Sequence, residues 1–122
     1  MKYKHVIFLA LLGLSILVPV NNAIAGKQRT MTVTATAYNS MGKNIAAWGT
    51  KLKPGMKAIA VSRDLLKKGL RKGTKVKIIG LPGKYTVLDK MHKKWKRRID
   101  IFMGNNVRGA KRWGKRKVKI RW

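Results

Sequence analysis

The stretch that decides the fold is Met31-Thr32-Val33-Thr34-Ala35-Thr36-Ala37-Tyr38, in which threonines alternate with mostly apolar residues. In an extended chain, alternation with a period of two places the threonines on one face and the apolar side chains on the other. Threonine and valine also favour strands because their branched side chains pack well on a pleated surface. The segment therefore predicts a half-buried β-strand.

The same period-two pattern recurs along the rest of the chain. It marks residues 57–61, 74–79, 84–89, 98–103 and 117–122. Pro54-Gly55 and Pro82-Gly83 are turn dipeptides, and the second joins two strand patterns closely enough to predict a hairpin. Residues 39–53 show no such period and are predicted to form a long loop.

Two short helices are predicted between the strands. Ser62 is a candidate cap for a helix over residues 63–68 that ends at Gly69. A second helix is predicted over residues 106–112, before Gly114. Six strands and two small helices in under 100 residues favour a mainly β, closed barrel over a sandwich, because closure removes exposed strand edges.

The N-terminal segment has the three parts of a signal peptide. Lys2 and Lys4 precede an apolar run over residues 6–20, and Ala23-Ile24-Ala25 follows it. The run is 15 residues long, whereas a membrane-spanning helix needs roughly 20, so a stable membrane anchor is not expected. We therefore expect residues 1–25 to be a signal peptide, residues 26–122 to be one domain, and the cleaved protein to be periplasmic or extracellular. The chain has no cysteine, which excludes disulfides and a lipid-modified cysteine.

The charge of the chain is extreme. It contains 30 Lys and Arg residues against three aspartates and no glutamate, a formal charge of +27. Such a surface attracts polyanions over a distance. In an exported protein these are expected to be envelope polymers that carry carboxylates or phosphates, with nucleic acid a less favoured partner. An ordinary solvated basic surface remains the alternative. The oligomeric state is left open by the sequence.

Several short motifs follow one another in a characteristic order. They are the segments at residues 34–38, 49–55, 58–61, 72–76, 87–89, 98–102 and 110–114, which read TATAY, GTKLKPG, AIAV, KGTKV, VLD, RIDIF and AKRWG. In this order and spacing the chain, from about Met31 to Trp122, resembles the 3D domain, named for three aspartates. That domain is similar to the catalytic barrel of membrane-bound lytic transglycosylase A.

The resemblance implies both a fold and a chemistry. The fold is a small six-stranded double-psi β-barrel with one or two short helices. The related enzymes cleave peptidoglycan glycan strands without water, and the muramic 6-hydroxyl closes a 1,6-anhydro ring. By the same resemblance Asp100 takes the position of the catalytic acid and base, and Asp89, 11 residues earlier, that of a second aspartate. No cofactor is implied.

The chain departs from the family pattern after Asp89. The family has Asp-Thr-Gly-Gly there, whereas residues 89–98 of this chain contain no glycine and six Lys or Arg residues. This departure favours an alternative in which the domain binds peptidoglycan or another anionic envelope polymer without catalysis. In that case Asp89 and Asp100 neutralise neighbouring cations. Asp64 falls in the first turn of the predicted helix, where a negative charge is favourable in any protein.

Three aromatic residues and one lysine are candidates for substrate binding. Tyr38, Trp48 and Trp95 lie in or beside predicted loops, where they either stack on sugar rings or pack in the core. Lys90, next to Asp89, completes the predicted substrate-binding set. Trp113 and Trp122 are expected to pack in the barrel. No metal site is expected, since His92 has no Cys, Glu or second His in the predicted domain to join it.

Overall fold

The computed structural model describes residues 27–40 and 44–122, so the predicted signal peptide over residues 1–25 lies outside the described residues. The described part contains six strands and two short helices. In chain order these are β1 Thr30–Tyr38, β2 Ala58–Val61, α1 Arg63–Leu66, β3 Lys75–Ile78, β4 Tyr85–Lys90, β5 Arg98–Phe102, α2 Val107–Trp113 and β6 Arg116–Arg121. Across these residues, neither helix has the length and apolar character that a bilayer crossing requires.

The six strands close into a barrel in the order β1-β5-β2-β4-β3-β6, with β6 returning to β1. Two pairs, β1 with β5 and β2 with β4, run parallel, and the other four pairs run antiparallel. The predicted closed barrel with two short helices is thereby confirmed, and its mixed pairing resembles that of a double-psi barrel. The hairpin predicted at Pro82-Gly83 is also present, because β3 and β4 are consecutive and antiparallel.

The barrel interior is filled by alternate residues of the strands, as the period-two pattern predicts. Fully buried aliphatic side chains from all six strands form one cluster: Val33, Ala35, Ile59, Val61, Val76, Ile78, Val87, Ile99, Ile101 and Ile120. Leu65 of α1 and Leu70, which follows the helix, belong to the same cluster. Trp113 and Trp122 pack against this cluster, as expected. Truncating one of its large members to alanine typically costs about 2–5 kcal/mol.

A second, smaller core lies on the outer face of the sheet. Ala46 and Leu52 of the long segment after β1 pack there against Ala58 of β2 and Phe102 of β5. A backbone bridge between Ile45 and Lys51 gives this segment its shape. The predicted loop over residues 39–53 is therefore irregular, as expected, but its described part is packed down on the barrel.

The prediction that the Ser62 side chain caps α1 is wrong. Ser62 occupies the position before the helix, yet its hydroxyl makes no capping hydrogen bond. The hydroxyl instead accepts a hydrogen bond from the backbone N–H of Arg98 at 3.0 Å, and the Ser62 N–H donates to the Arg98 carbonyl at 2.8 Å. Because β5 runs beside this residue, Ser62 extends the pairing of β2 with β5. Asn106 does cap α2, since its side chain accepts from the Gly109 N–H.

Candidate functional site

The two candidate catalytic aspartates lie in one lateral row across the barrel. Ala60 of β2 is the register partner both of Asp100 on β5 and of Asp89 on β4, and Thr36 of β1 pairs with Asp100. The strands of the two aspartates are therefore not adjacent, since β2 lies between them. Two strand spacings place their Cα atoms about 10 Å apart. Ala60 between them is only 4% exposed, so neighbouring groups cover the outer face of β2 at this point.

Asp100 faces the outside of the barrel because its neighbours face the inside. Ile99 and Ile101 are both buried in the interior cluster, and successive strand residues point to opposite faces. An unpaired carboxylate inside that apolar core would carry a large desolvation cost.

Asp89 reaches the same outer face by means of a β-bulge. Val87 pairs with Ile59 and Asp89 with Ala60, so Leu88 is an extra residue without a partner on β2. Regular alternation after the interior Val87 would turn Asp89 inward as well. The extra residue reverses this and sends Asp89 outward, where bulges are often found to direct functional side chains.

Asp100 is half-buried and hydrogen-bonded. The Thr36 hydroxyl donates to its Oδ1 at 3.0 Å. Burial raises the pKa of the Asp100 carboxyl, and the negative charge of Asp89 adds to this. The Thr36 hydrogen bond and the positive charge of Arg98 act in the opposite direction, but the net effect is a raised pKa. Such a carboxyl is better able to hold a proton than an exposed one.

Asp89 fastens the segment after β1 to the barrel. Its Oδ1 accepts hydrogen bonds from the backbone N–H of Ala47 at 2.8 Å and of Lys90 at 2.9 Å. Because Ala47 lies between Ala46 and Leu52, which form the outer core, the Asp89 carboxylate and that core hold the same segment. Asp89 therefore has a structural role in addition to its place beside Asp100.

Tyr38 brings a phenol into the same site. Its hydroxyl is buried and has no hydrogen-bond partner among the described residues. Burial raises the pKa of the phenol most, and the negative charges of Asp89 and Asp100, together with the closeness of the hydroxyl to the Asp89 carboxylate, raise it further. The ring packs against Phe102 with the centroids 5.5 Å apart. The result is a neutral phenol that lies near two carboxylates. Buried polar groups without a well-formed hydrogen bond are uncommon in proteins.

The remaining predicted binding residues are spread out. Trp48 packs against the interior cluster, which matches the core alternative for this residue. Trp95 is half-buried, and the Arg98 guanidinium lies over its ring at 3.9 Å from the centroid, so Trp95 borders the site through Arg98. Lys90 is exposed at the end of β4. Asp64 lies apart in the first turn of α1, where its Oδ2 accepts from the Arg97 N–H at 2.9 Å.

Three contributors to the site were missed from sequence. They are the Thr36 hydroxyl, the Ala47 N–H and the Arg98 side chain. Arg98 stands two residues before Asp100 on one strand, so period-two alternation could have placed it on the same face. Thr36 could be found only from the register of β1 with β5, and Ala47 only from the packing of its segment.

The described residues contain no group of three His, Asp or Glu side chains that could hold a metal ion. Neither Asp89 nor Asp100 lines any of three open grooves found on the described surface. The one nearest the outer core is bordered by Met56, Tyr85 and Phe102. The aspartate row is thus covered in part by the segment that Asp89 holds down.

Comparison with known proteins supports the barrel fold. No family model matches the chain, and no curated protein matches its sequence. The crystal structure of apo Clavibacter michiganensis expansin is similar over 75% of this chain and 49% of that chain, with 21% identity and a TM-score of 0.53. A mutant Clavibacter michiganensis expansin in complex with cellohexaose aligns over 76% of this chain and 48% of that one, with 18% identity and a TM-score of 0.48.

The chain thus spans about half the length of each expansin. At 21% identity the likeness concerns the fold, a barrel that both chains share. The resemblance to the 3D domain stays a prediction.

Proposed function

We propose that this chain is an exported protein that acts on cell-wall polysaccharide as a lytic transglycosylase-like domain, with Asp100 as general acid and base. The observation that carries the proposal is the aspartate row, in which a carboxyl of raised pKa lies near a second carboxylate and a buried phenol. Glycosidic cleavage needs one protonated carboxyl at working pH, and burial beside another carboxylate is the usual way to obtain it.

The proposed reaction uses one carboxyl twice. Protonated Asp100 gives its proton to the glycosidic oxygen as the bond from the muramic C1 breaks. The resulting carboxylate then takes the proton of the muramic 6-hydroxyl, whose oxygen attacks C1 and closes the 1,6-anhydro ring. No water is consumed, and Asp100 ends in its starting state. Asp89 stabilises positive charge on the sugar ring, and the Tyr38 hydroxyl donates to a sugar oxygen.

The test is product analysis of digested sacculi. The purified protein is incubated with peptidoglycan, and 1,6-anhydro-muropeptides are measured by mass spectrometry. Asp100→Asn keeps the size of the side chain but removes the acid, so product formation is expected to fall by roughly 100-fold or more. Asp64→Asn is the matched control, because Asp64 lies outside the row, and it is expected to retain activity. Full product formation by Asp100→Asn contradicts the assignment.

A second function is favoured by two observations. Neither aspartate lines any of the three grooves named above on the described surface, and Asp89 Oδ1 already accepts hydrogen bonds from two backbone N–H groups. In this alternative the domain is a cationic module that binds peptidoglycan or another anionic envelope polymer. It predicts that the wild type forms no anhydro product but co-sediments with sacculi, and that binding weakens steeply between low and physiological salt because exposed charges are screened.

Export is part of the proposal and has a separate test. The Lys2, Lys4 and apolar pattern predicts cleavage after Ala25, so N-terminal sequencing of the mature protein is expected to begin at Gly26. Recovery of an intact Met1 in the membrane fraction contradicts this part and leaves the chemistry of the aspartate row untouched.

A further inference from the structure

A groove separate from the aspartate row is lined almost entirely by positive charge. We call it the cationic groove. Its charged and aromatic lining residues are Lys27, Arg29, Lys67, Lys68, Arg71 and Trp122. None of the three aspartates lines it, so the lining supplies no side-chain carboxylate to offset five positive charges. Close like charges repel one another, and an anion that enters the groove relieves this repulsion.

The cationic groove lies toward the opposite end of β1 from the aspartate row. Arg29, just before β1, is paired with Trp122 through backbone hydrogen bonds in both directions. Thr36, which marks the row, comes seven residues after Arg29. At ~3.3 Å per strand residue this separation is about 20 Å. A polymer can therefore occupy the cationic groove while the aspartate row stays free.

The floor of the groove is held in place by specific contacts. The Arg29 guanidinium donates to the carbonyl of Lys68, just beyond α1, which fixes that side chain between the end of the strand and the helix. Gly69 has a φ of +100°, and a Cβ atom there would lie 3.5 Å from Trp122 Nε1 and 3.7 Å from an Arg29 guanidinium nitrogen. Gly69 thus adopts a backbone conformation that residues with a side chain rarely adopt. Its lack of a side chain also lets the Trp122 indole and the Arg29 guanidinium approach the backbone closely.

The side chains that line the cationic groove indicate which class of anion it binds. Guanidinium groups bind phosphate through two parallel hydrogen bonds, and lysines add charge without directional demands. Proteins that hold single-stranded nucleic acid add successive aromatic rings on which bases stack. The cationic groove has a single ring, Trp122, and that ring is half-buried against the barrel core. The groove thus offers charge along its length but little surface for bases.

We infer that the cationic groove is a second binding site, for a phosphodiester polymer without bases, of the poly(polyol phosphate) class. This site would tether the barrel to an anionic polymer and does not depend on the chemistry of Asp100. This inference differs from a general attraction of polyanions to the basic surface, because it assigns the binding to the cationic groove.

Binding is tested with poly(glycerol phosphate) as the probe and two variants of equal charge loss. The groove variant carries Lys67→Gln, Lys68→Gln and Arg71→Gln. The control variant carries Lys111→Gln, Arg112→Gln and Lys115→Gln, three exposed residues at the end of α2 that do not line the groove. The groove variant is expected to lose about tenfold in affinity at physiological salt and the control about threefold or less. Equal losses overturn the inference, because they indicate binding by net charge alone.

A site-specific signal and a second probe complete the test. In the NMR spectrum of the wild type, the indole N–H of Trp122 is expected to shift on titration with the polymer, while that of Trp113, which donates to the Ala35 carbonyl, stays in place. Thermal melts establish that both variants are folded. A single-stranded oligothymidylate of equal charge is titrated in parallel. If its affinity exceeds that of poly(glycerol phosphate) and falls more in the groove variant, the ligand is nucleic acid and the inference is wrong.

Discussion

Thr36→Val is the most informative single change in the aspartate row. Threonine and valine have nearly the same shape, so the substitution removes the hydroxyl, which donates to Asp100 Oδ1 at 3.0 Å and also lies 3.4 Å from the Ile99 carbonyl oxygen. A hydrogen bond to a charged group contributes about 1.5–3 kcal/mol, and the lower end applies here because Thr36 and Asp100 are only half-buried. Because this hydrogen bond stabilises the ionised carboxylate, its loss is expected to raise the pKa of Asp100 further.

The same substitution predicts a definite dependence of stability on pH. Thr36 stabilises the ionised form of Asp100, so its loss raises the folded-state pKa and leaves the unfolded-state pKa unchanged. For an acid whose pKa is raised by folding, stability is lost as pH rises through the folded-state pKa. Thr36→Val is therefore expected to match the wild type below about pH 3 and to be less stable by about 1.5 kcal/mol at pH 7.

Two measurements check this reasoning. NMR titration of the Asp100 carboxyl carbon gives the pKa directly, and urea unfolding at several pH values gives the free energy of unfolding. Thr34→Val is the matched control, because Thr34 lies two residues earlier on the same face and pairs with Arg98 rather than Asp100. An unchanged pKa of Asp100 in Thr36→Val, or the same rise in Thr34→Val, would refute the proposed coupling.

Three further predictions concern neighbouring residues. Arg98→Gln is expected to raise the pKa of Asp100, because the Arg98 charge lowers it, and the rise should shrink in high salt; a lower pKa would contradict this. Ser62→Ala should cost about 1–2 kcal/mol in urea unfolding, since it leaves the Arg98 N–H without its buried acceptor; a cost below ~0.3 kcal/mol would indicate that water replaces the hydroxyl. Gly104→Ala should cost about 2 kcal/mol, because its φ is +53° and a Cβ atom would lie 2.9 Å from Pro54 Cα; full stability would show that the Pro54 turn shifts freely.

Local chemistry in the sequence was enough to determine most of the fold. The alternation around Val33 and Ala35 depends only on which neighbours are apolar, and it predicted the face of β1 that is buried. Pro82-Gly83 predicted the hairpin for a similar reason, because turn residues act within a few positions of the chain. The closed barrel followed from counting such segments.

The aspartate row depended on contacts that local patterns do not contain. Asp89 and Asp100 were identified through a family resemblance, but the sequence did not show that β2 separates their strands or that Leu88 forms a bulge. Likewise Ser62 is a residue type that often caps helices, but its hydroxyl accepts a hydrogen bond from the backbone N–H of Arg98, 36 residues away.

Some features of this protein depend on neighbouring residues, and others depend on contacts between distant strands. Periodicity, turns, charge and the N-terminal apolar run are properties of neighbouring residues, so the sequence by itself determined the strands, the barrel class and the basic surface. The burial of Tyr38 and the meeting of Thr36 with Asp100, 64 residues apart, depend on the register between distant strands. Slipping that register by one residue would turn the side chains of a strand to the opposite face, so only the tertiary structure could decide which groups share the site.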